Sequence, residues 1–253
     1  ALAAGKHVLC EKPLAANAHQ AREMFDAAER HGCLLVEAFM YRCHPLCHPI
    51  QRELRDHAVG QVRLVRTAFC FNLRKTDGNI RFDPALAGGA LMDVGCYCLN
   101  FSRMVAGEEP VDIQATCRLH PSGVDVCTAA QLRFPSGLIA HFVSAMDVQT
   151  DNTALICGTD GYLSTPVPWK PPVTDAKYAV DAMTPPRQEA GPNATKPGRR
   201  EESVDAPAPL YAMEADAFAD AVHQRIDPFV TPADSLGNMQ ALDKLREQLK
   251  LGY

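Results

Sequence analysis

Near the start of the chain the apolar positions change period twice. His7-Val8-Leu9-Cys10 is a short apolar run that stops at Glu11-Lys12-Pro13. From Ala18 to His31 the apolar residues Ala21, Met24, Phe25 and Ala28 recur at helical spacing, with Asn17 in front as an N-cap and Gly32 behind as a stop, which predicts a helix. Cys33 to Phe39 then reads as one apolar run bounded by loops, the pattern of a strand covered on both faces. Strand, helix, strand in this order is one unit of a parallel sheet.

After Pro45 the pattern changes character. A helix is predicted from Leu46 to His57, and strands over Val62 to Phe71, Val111 to Leu119, Val124 to Phe134 and Leu138 to Val148. Phe134-Pro135-Ser136-Gly137 joins the last two as a hairpin, and Thr153 to Cys157 and Tyr162 to Ser164 flank a second turn at Gly158-Thr159-Asp160-Gly161. Successive strands joined by short turns predict an antiparallel sheet, hence α+β architecture from residue 46 to 253 behind an α/β piece at 1–45. Gly88 to Ala106 holds a helix from Ala90, with Gly107 past its end. Ser164 to Pro209, with 10 of the 19 prolines, is expected to be one long irregular excursion. Helices at Tyr211 to Arg225 and Pro232 to Leu249 finish the chain.

Composition narrows the class. With 47% hydrophobic and 22% charged residues among 253, the chain is neither largely disordered nor fibrous. A formal charge of −5 supplies no basic field for nucleic acid or an anionic membrane, so neither is expected as a partner. The sequence has no apolar run of about 18 residues and no export signal, so a cytoplasmic protein is expected. Most of the ten cysteines sit singly inside apolar runs, which favours reduced, buried thiols over disulfides.

Three residues stand out as chemistry. Lys12 follows the C-terminal end of a parallel strand, where open α/β sheets bind their ligands. Asp93 and Tyr97 are spaced to share one helix face. An ammonium brought beside that phenol would stabilise phenolate and lower the tyrosine pKa, which makes a proton-handling set. Taken singly, an exposed loop lysine and a structural hydrogen bond are the plainer readings. Cys43-His44-Pro45-Leu46-Cys47-His48 admits a metal reading, but its spacing is one residue too long for haem attachment and lacks a partner pair with zinc spacing, so no metal is expected.

Two longer stretches carry a resemblance. Gly5-Lys6-His7-Val8-Leu9-Cys10-Glu11-Lys12-Pro13-Leu14-Ala15 and Gly88-Gly89-Ala90-Leu91-Met92-Asp93-Val94-Gly95-Cys96-Tyr97 resemble, in order and separation, the two signatures of the Gfo/Idh/MocA oxidoreductases. Glu37-Ala38-Phe39-Met40-Tyr41-Arg42 is most similar to the branch of dimeric dihydrodiol dehydrogenases, NADP-dependent D-xylose dehydrogenases and glucose-fructose oxidoreductases. The resemblance implies the C-terminal part of a Rossmann-type parallel sheet, followed by a large open antiparallel sheet with helices on one face. It also implies hydride transfer between NADP or NAD and a hydroxyl-bearing carbon of a sugar or cyclic trans-diol. Lys12 would polarise the substrate oxygen, Tyr97 would serve as general acid or base and Asp93 would fix the substrate or the lysine. Glu11, Lys12, Pro13, Tyr41 and Arg42 would line the cofactor cleft, with a cis Lys12-Pro13 bond.

One departure from the family pattern bears on function. The sequence contains no G-x-G-x-x-G, the turn that grips a dinucleotide and precedes the residue selecting NAD or NADP. The expectation is therefore that the gripping half of the sheet lies outside this chain, which alone would bind nucleotide poorly and lack activity. A non-catalytic member that binds a sugar-like ligand or a protein is the alternative. An uncovered sheet face further predicts a homodimer or higher homo-oligomer.

Overall fold

The computed structural model describes residues 1–182, 198–224 and 226–252. Strands β1 (Val8–Glu11) and β2 (Leu35–Ala38) pair in parallel, with Val8 opposite Leu35 and Glu11 opposite Ala38. Helix α1 (Ala18–Arg30) connects them. It starts where expected because the Asn17 side chain accepts from the Gln20 N–H at 2.9 Å, satisfying a first-turn donor. All four residues of β2 are buried, the charged Glu37 included.

The second sheet contains eight strands, β3 (Val62–Cys70), β4 (Asp112–Leu119), β5 (Asp125–Arg133), β6 (Ile139–Ala145), β7 (Ala154–Gly158), β8 (Gly161–Thr165), β9 (Ala176–Ala182) and β10 (Gly198–Val204). Their spatial order is β10-β9-β8-β7-β3-β6-β5-β4. Neighbours run antiparallel throughout the described residues except β3 and β6, which pair in parallel from Leu64 opposite Ile139 to Cys70 opposite Ala145. A parallel pair needs a long crossover, and the segment between them supplies one, including a helix that packs back on both strands.

That helix is α3 (Cys96–Ala106), which lies on one sheet face together with α5 (Pro232–Leu249). Alternation along the strands explains the layering. In β5, Thr128, Ala130 and Leu132 are buried while Cys127, Ala129 and Gln131 are not; in β6, Ala140, Phe142 and Ser144 are buried while Ile139, His141 and Val143 are not. Leu99 and Phe101 of α3 and Met239, Leu242 and Leu245 of α5 complete this core. Each such fully buried side chain contributes about 1.5–3 kcal/mol. Helix α5 also touches α1 and β2, and its Asp243 Oδ2 accepts the Ala18 N–H at 2.8 Å, so one helix ties both sheets together. Helix α2 (Cys47–Arg55) ends two residues short of the expected His57, and α4 (Leu210–Gln224) packs on the 3-10 turn Met40–Cys43.

The expected irregular excursion from Ser164 to Pro209 is corrected in part, because it contains β9 and β10. Its middle, 183–197, lies outside the described residues, as does Arg225 at the predicted end of α4. β10 carries Arg199, Arg200, Glu201 and Glu202 rather than apolar residues, and it is held by cross-strand and cross-layer ion pairs, Arg199 to Asp181 at 2.9 Å and Arg200 to Glu53 at 2.8 Å. A polar edge strand of this kind has no hydrophobic period to read. The ten cysteines stand as free thiols. Among the described residues no helix is long and apolar enough to cross a membrane.

Candidate active site

Lys12 leaves the end of β1 in a turn whose Lys12-Pro13 bond is cis, as the resemblance implied. Behind that turn the buried Glu37 accepts the Leu14 N–H at 2.9 Å, so β2 anchors the loop that carries the lysine. The Lys12 ammonium donates to the Asp93 backbone carbonyl at 2.6 Å and to Asp93 Oδ1 at 3.0 Å. These partners lie 81 residues apart in sequence, so the fold brings the two signatures together.

Asp93 sits in a π-helical turn, Leu91–Gly95, ahead of α3, rather than in the plain helix expected from Ala90. The buried Asp125 steadies the start of this turn, accepting the Leu91 N–H at 2.8 Å and the Thr128 hydroxyl at 2.6 Å. The widened turn directs the second carboxylate oxygen of Asp93 to Arg81, whose Nε donates to Oδ2 at 2.6 Å. Gly88 is required here by close approach, since a Cβ at that position would meet the Arg81 carbonyl oxygen at 2.5 Å.

Tyr97 projects from the first turn of α3 into a nest of aromatic rings, 5.2 Å from Phe39 and 5.4 Å from Phe69 between centroids. Its hydroxyl donates to Met40 Sδ at 3.1 Å. Lys12 Nζ lies over the ring at 5.2 Å from its centroid. The expected depression of the Tyr97 pKa is not what this geometry produces. Burial pushes the phenol well above its ordinary value, with Cys96 and Glu11 acting in the same direction, so Tyr97 holds its proton at neutral pH. For Lys12, burial opposes the ammonium, but Cys96 and Asp93 outweigh it and the net shift is upward.

Lys12, Asp93, Tyr97 and Arg81 border one cavity of about 840 Å³. Its far wall includes Trp169, stacked on Phe69 at 5.6 Å with the planes 7° apart, and Tyr211 from α4. Asn152 closes the end of β3 by bonding both the N–H and the carbonyl of Cys70. Of the expected cofactor residues, Glu11 and Lys12 border this cavity, whereas Pro13, Tyr41 and Arg42 do not. Tyr41 is buried and donates to Asn100 Oδ1 at 2.6 Å, and Arg42 pairs with Asp234 at 2.9 Å. Both therefore brace α3 and the start of α5 in this structure.

The Cys43 to His48 segment has other partners. His44 donates through Nε2 to the Pro172 carbonyl at 3.1 Å and accepts the Leu46 N–H through Nδ1 at 3.0 Å, while Cys47 Sγ meets the Tyr41 carbonyl at 3.2 Å. Burial lowers the His44 pKa, so the ring is neutral in this role. Among the described residues no three His, Cys, Asp or Glu side chains are grouped to hold a metal.

Arg81, Met40, Phe69, Trp169 and Tyr211 are site residues that the sequence reading did not single out. Trp169 is the one tryptophan of the chain, a signal that was available. Arg81 lies in a stretch without periodicity, and nothing local marks it.

Known proteins resemble this chain in sequence and fold. A family profile described as "Oxidoreductase family, NAD-binding Rossmann fold" matches residues 1–39, and one described as "GFO/IDH/MocA C-terminal domain" matches residues 49–164. A D-xylose 1-dehydrogenase (NADP(+)) of Haloferax volcanii is 34% identical over 248 residues, covering 98% of this chain and 72% of the relative. A trans-1,2-dihydrobenzene-1,2-diol dehydrogenase of Oryctolagus cuniculus is 39% identical over 161 residues, 63% of this chain and 48% of the relative. Among solved structures, an aldose-aldose oxidoreductase from Caulobacter crescentus superposes with a TM-score of 0.83 at 29% identity, over 100% of this chain and 72% of that one. KijD10, a 3-ketoreductase from Actinomadura kijaniata solved with NADP, superposes with a TM-score of 0.82 at 28% identity, over 98% and 72%.

Proposed function

Because the chain belongs to the Gfo/Idh/MocA oxidoreductases, we propose that it forms the catalytic and substrate-binding part of an NAD(P)-dependent dehydrogenase acting on a hydroxyl-bearing carbon of a sugar or cyclic trans-diol. The observation that carries this reading is the convergence of Lys12, Asp93 and Tyr97 on one cavity from segments distant in sequence.

The residues present fit the nicotinamide end of such a cofactor. A cavity of about 840 Å³ at the end of β1 has room for a nicotinamide ring and a small polyol, and Glu11 and Lys12, which border it, are the residues that would lie beside the ring. The bound cofactor would accept or return a hydride, which is chemistry no side chain can supply. NADP is favoured over NAD by the names of the relatives.

The protein handles the proton. The Lys12 ammonium, fixed by two bonds to Asp93, keeps donor capacity for a substrate oxygen and stabilises negative charge developing there. Tyr97, kept as a neutral phenol by burial, can donate a proton to an alkoxide when a carbonyl is reduced. In the oxidative direction it must first lose that proton, so oxidation should gain rate as pH rises. Asp93 acts as a positioning residue for Lys12. The reading includes a homodimer, supported by the exposed or half-buried Ile139, His141 and Val143 on the outward side of β6.

The test is to express the full reading frame containing this chain and offer it aldoses and cyclic trans-diols with NADP⁺ or NAD⁺. Reduced nicotinamide should form, and Tyr97→Phe should slow its formation by about 10²-fold or more. Tight binding of these compounds with no turnover would overturn the reading in favour of a non-catalytic member.

A further inference from the structure

Asp93 is held by two cations rather than one. Its Oδ1 faces Lys12 at 3.0 Å and its Oδ2 faces Arg81 at 2.6 Å. The carboxylate is only 14% exposed, while the Arg81 side chain is 41% exposed and borders the cavity. With only its Oδ1 held, the carboxylate could rotate and break that contact, leaving the lysine on the Asp93 backbone carbonyl alone. A second contact, on the other oxygen, removes that freedom.

The backbone around Arg81 is built for this contact. The Gly89 N–H donates to the Arg81 carbonyl at 2.8 Å, and the Gly88 N–H donates to the Asp83 carbonyl at 3.0 Å. Any side chain at Gly88 would collide with both carbonyls, at 2.5 and 2.9 Å from its Cβ. The two glycines thus serve as the seat on which the loop carrying Arg81 rests against the π-helical turn.

We infer that Arg81 is a positioning residue of the active site, clamping Asp93 Oδ2 so that Oδ1 presents Lys12 to the substrate oxygen. This rests on the dehydrogenase reading for its kinetic consequence, but the clamp itself is a statement about geometry. Arg81 touches neither Lys12 nor Tyr97 through a hydrogen bond among the described contacts, so its influence runs through Asp93.

A double-mutant cycle on the full reading frame tests it, combining Arg81→Met with Asp93→Asn. Arg81→Met alone should lower kcat/KM about tenfold to a hundredfold, mainly through kcat, as expected for a displaced catalytic group. In the Asp93→Asn background the same substitution should have little further effect, and Arg81→Lys should recover part of the loss. Gly88→Ala should reproduce the Arg81→Met defect with the arginine still in the chain. A crystal structure of Arg81→Met should show the Asp93 carboxylate rotated and its Oδ1 contact to Lys12 lost. Equal losses in both backgrounds, or an Arg81→Met protein with unchanged kcat/KM, would overturn the inference while leaving the dehydrogenase reading intact. If the parent turns over no substrate, that reading fails, and the crystal structure alone decides: Asp93 unmoved, with its Lys12 contact kept, refutes the clamp.

Discussion

The ammonium of Lys12 lies over the face of the Tyr97 ring, 5.2 Å from its centroid, and not against the phenol oxygen, which instead donates to Met40. The ring therefore serves as a cation platform for the lysine, and burial keeps the proton on the hydroxyl. Tyr97→Phe should leave this platform and the fold in place, with a melting temperature close to the parent's. Turnover should fall by about 10²-fold or more with little change in nicotinamide affinity. Lys12→Met should do the same. Parallel losses of turnover and cofactor affinity would argue that both residues act on binding.

Glu37 and Glu214 are buried carboxyls whose pKa burial raises to about 7. Each binds its proton more tightly in the folded than in the unfolded chain, so its contribution to stability is complete below the unfolded value near 4.5 and is lost as pH rises through about 7. The loss from Glu37 amounts to up to about 3 kcal/mol. Glu37→Gln keeps an acceptor for the Leu14 N–H and removes the titration. Urea unfolding across this pH range should show a shallower decline for the variant, with higher stability than the parent above pH 7. An unchanged pH dependence would mean that Glu37 ionises in the fold without penalty.

Asp234 receives Arg42 and the nearly buried Arg103, both at 2.9 Å. Among the described contacts, removing its carboxylate leaves Arg42 on Asn100, and leaves Arg103 on Glu109, Asn238 and the backbone carbonyl of residue 234. Asp234→Ala should destabilise the fold by about 3 kcal/mol, because guanidinium groups stay buried with less compensation. Arg42→Ala should likewise appear in unfolding curves rather than in nicotinamide affinity. A selective loss of affinity would return Arg42 to the cofactor cleft.

The outward side of the large sheet yields a prediction on assembly. Light scattering should report a homodimer, and Val143→Lys on β6 should shift it to monomer. A monomeric parent would show that this face is left uncovered.

Legibility in the sequence followed the physics of each element. The unit β1-α1-β2 and the strands β3 to β8 could be read because they alternate or repeat at a fixed period and are punctuated by Asn17, Gly32 and Gly137. That Lys12, Asp93 and Tyr97 meet at one cavity was legible from the place of Lys12 after a strand end and from the four-residue spacing of the other two. β10 could not, since its Arg199 to Glu202 run is stabilised by ion pairs with Asp181 and Glu53 rather than by a buried face. Parallel pairing of β3 with β6 is a long-range choice that no local pattern encodes. Arg81 was equally silent, because its role depends on a π-helical turn that ordinary helical spacing does not anticipate. The Tyr97 pKa moves opposite to the expected direction because burial of the phenol outweighs the nearby ammonium.

On the proposed reading, Lys12 and Tyr97 manage a proton while a hydride leaves a hydroxyl-bearing carbon. Substrate deuterated at that carbon, turned over by the full reading frame with NADP⁺, tests it most directly. Deuterium should appear at C4 of the reduced nicotinamide, and none should appear in solvent. Label released to water, or substrate bound and recovered unchanged, would contradict the account.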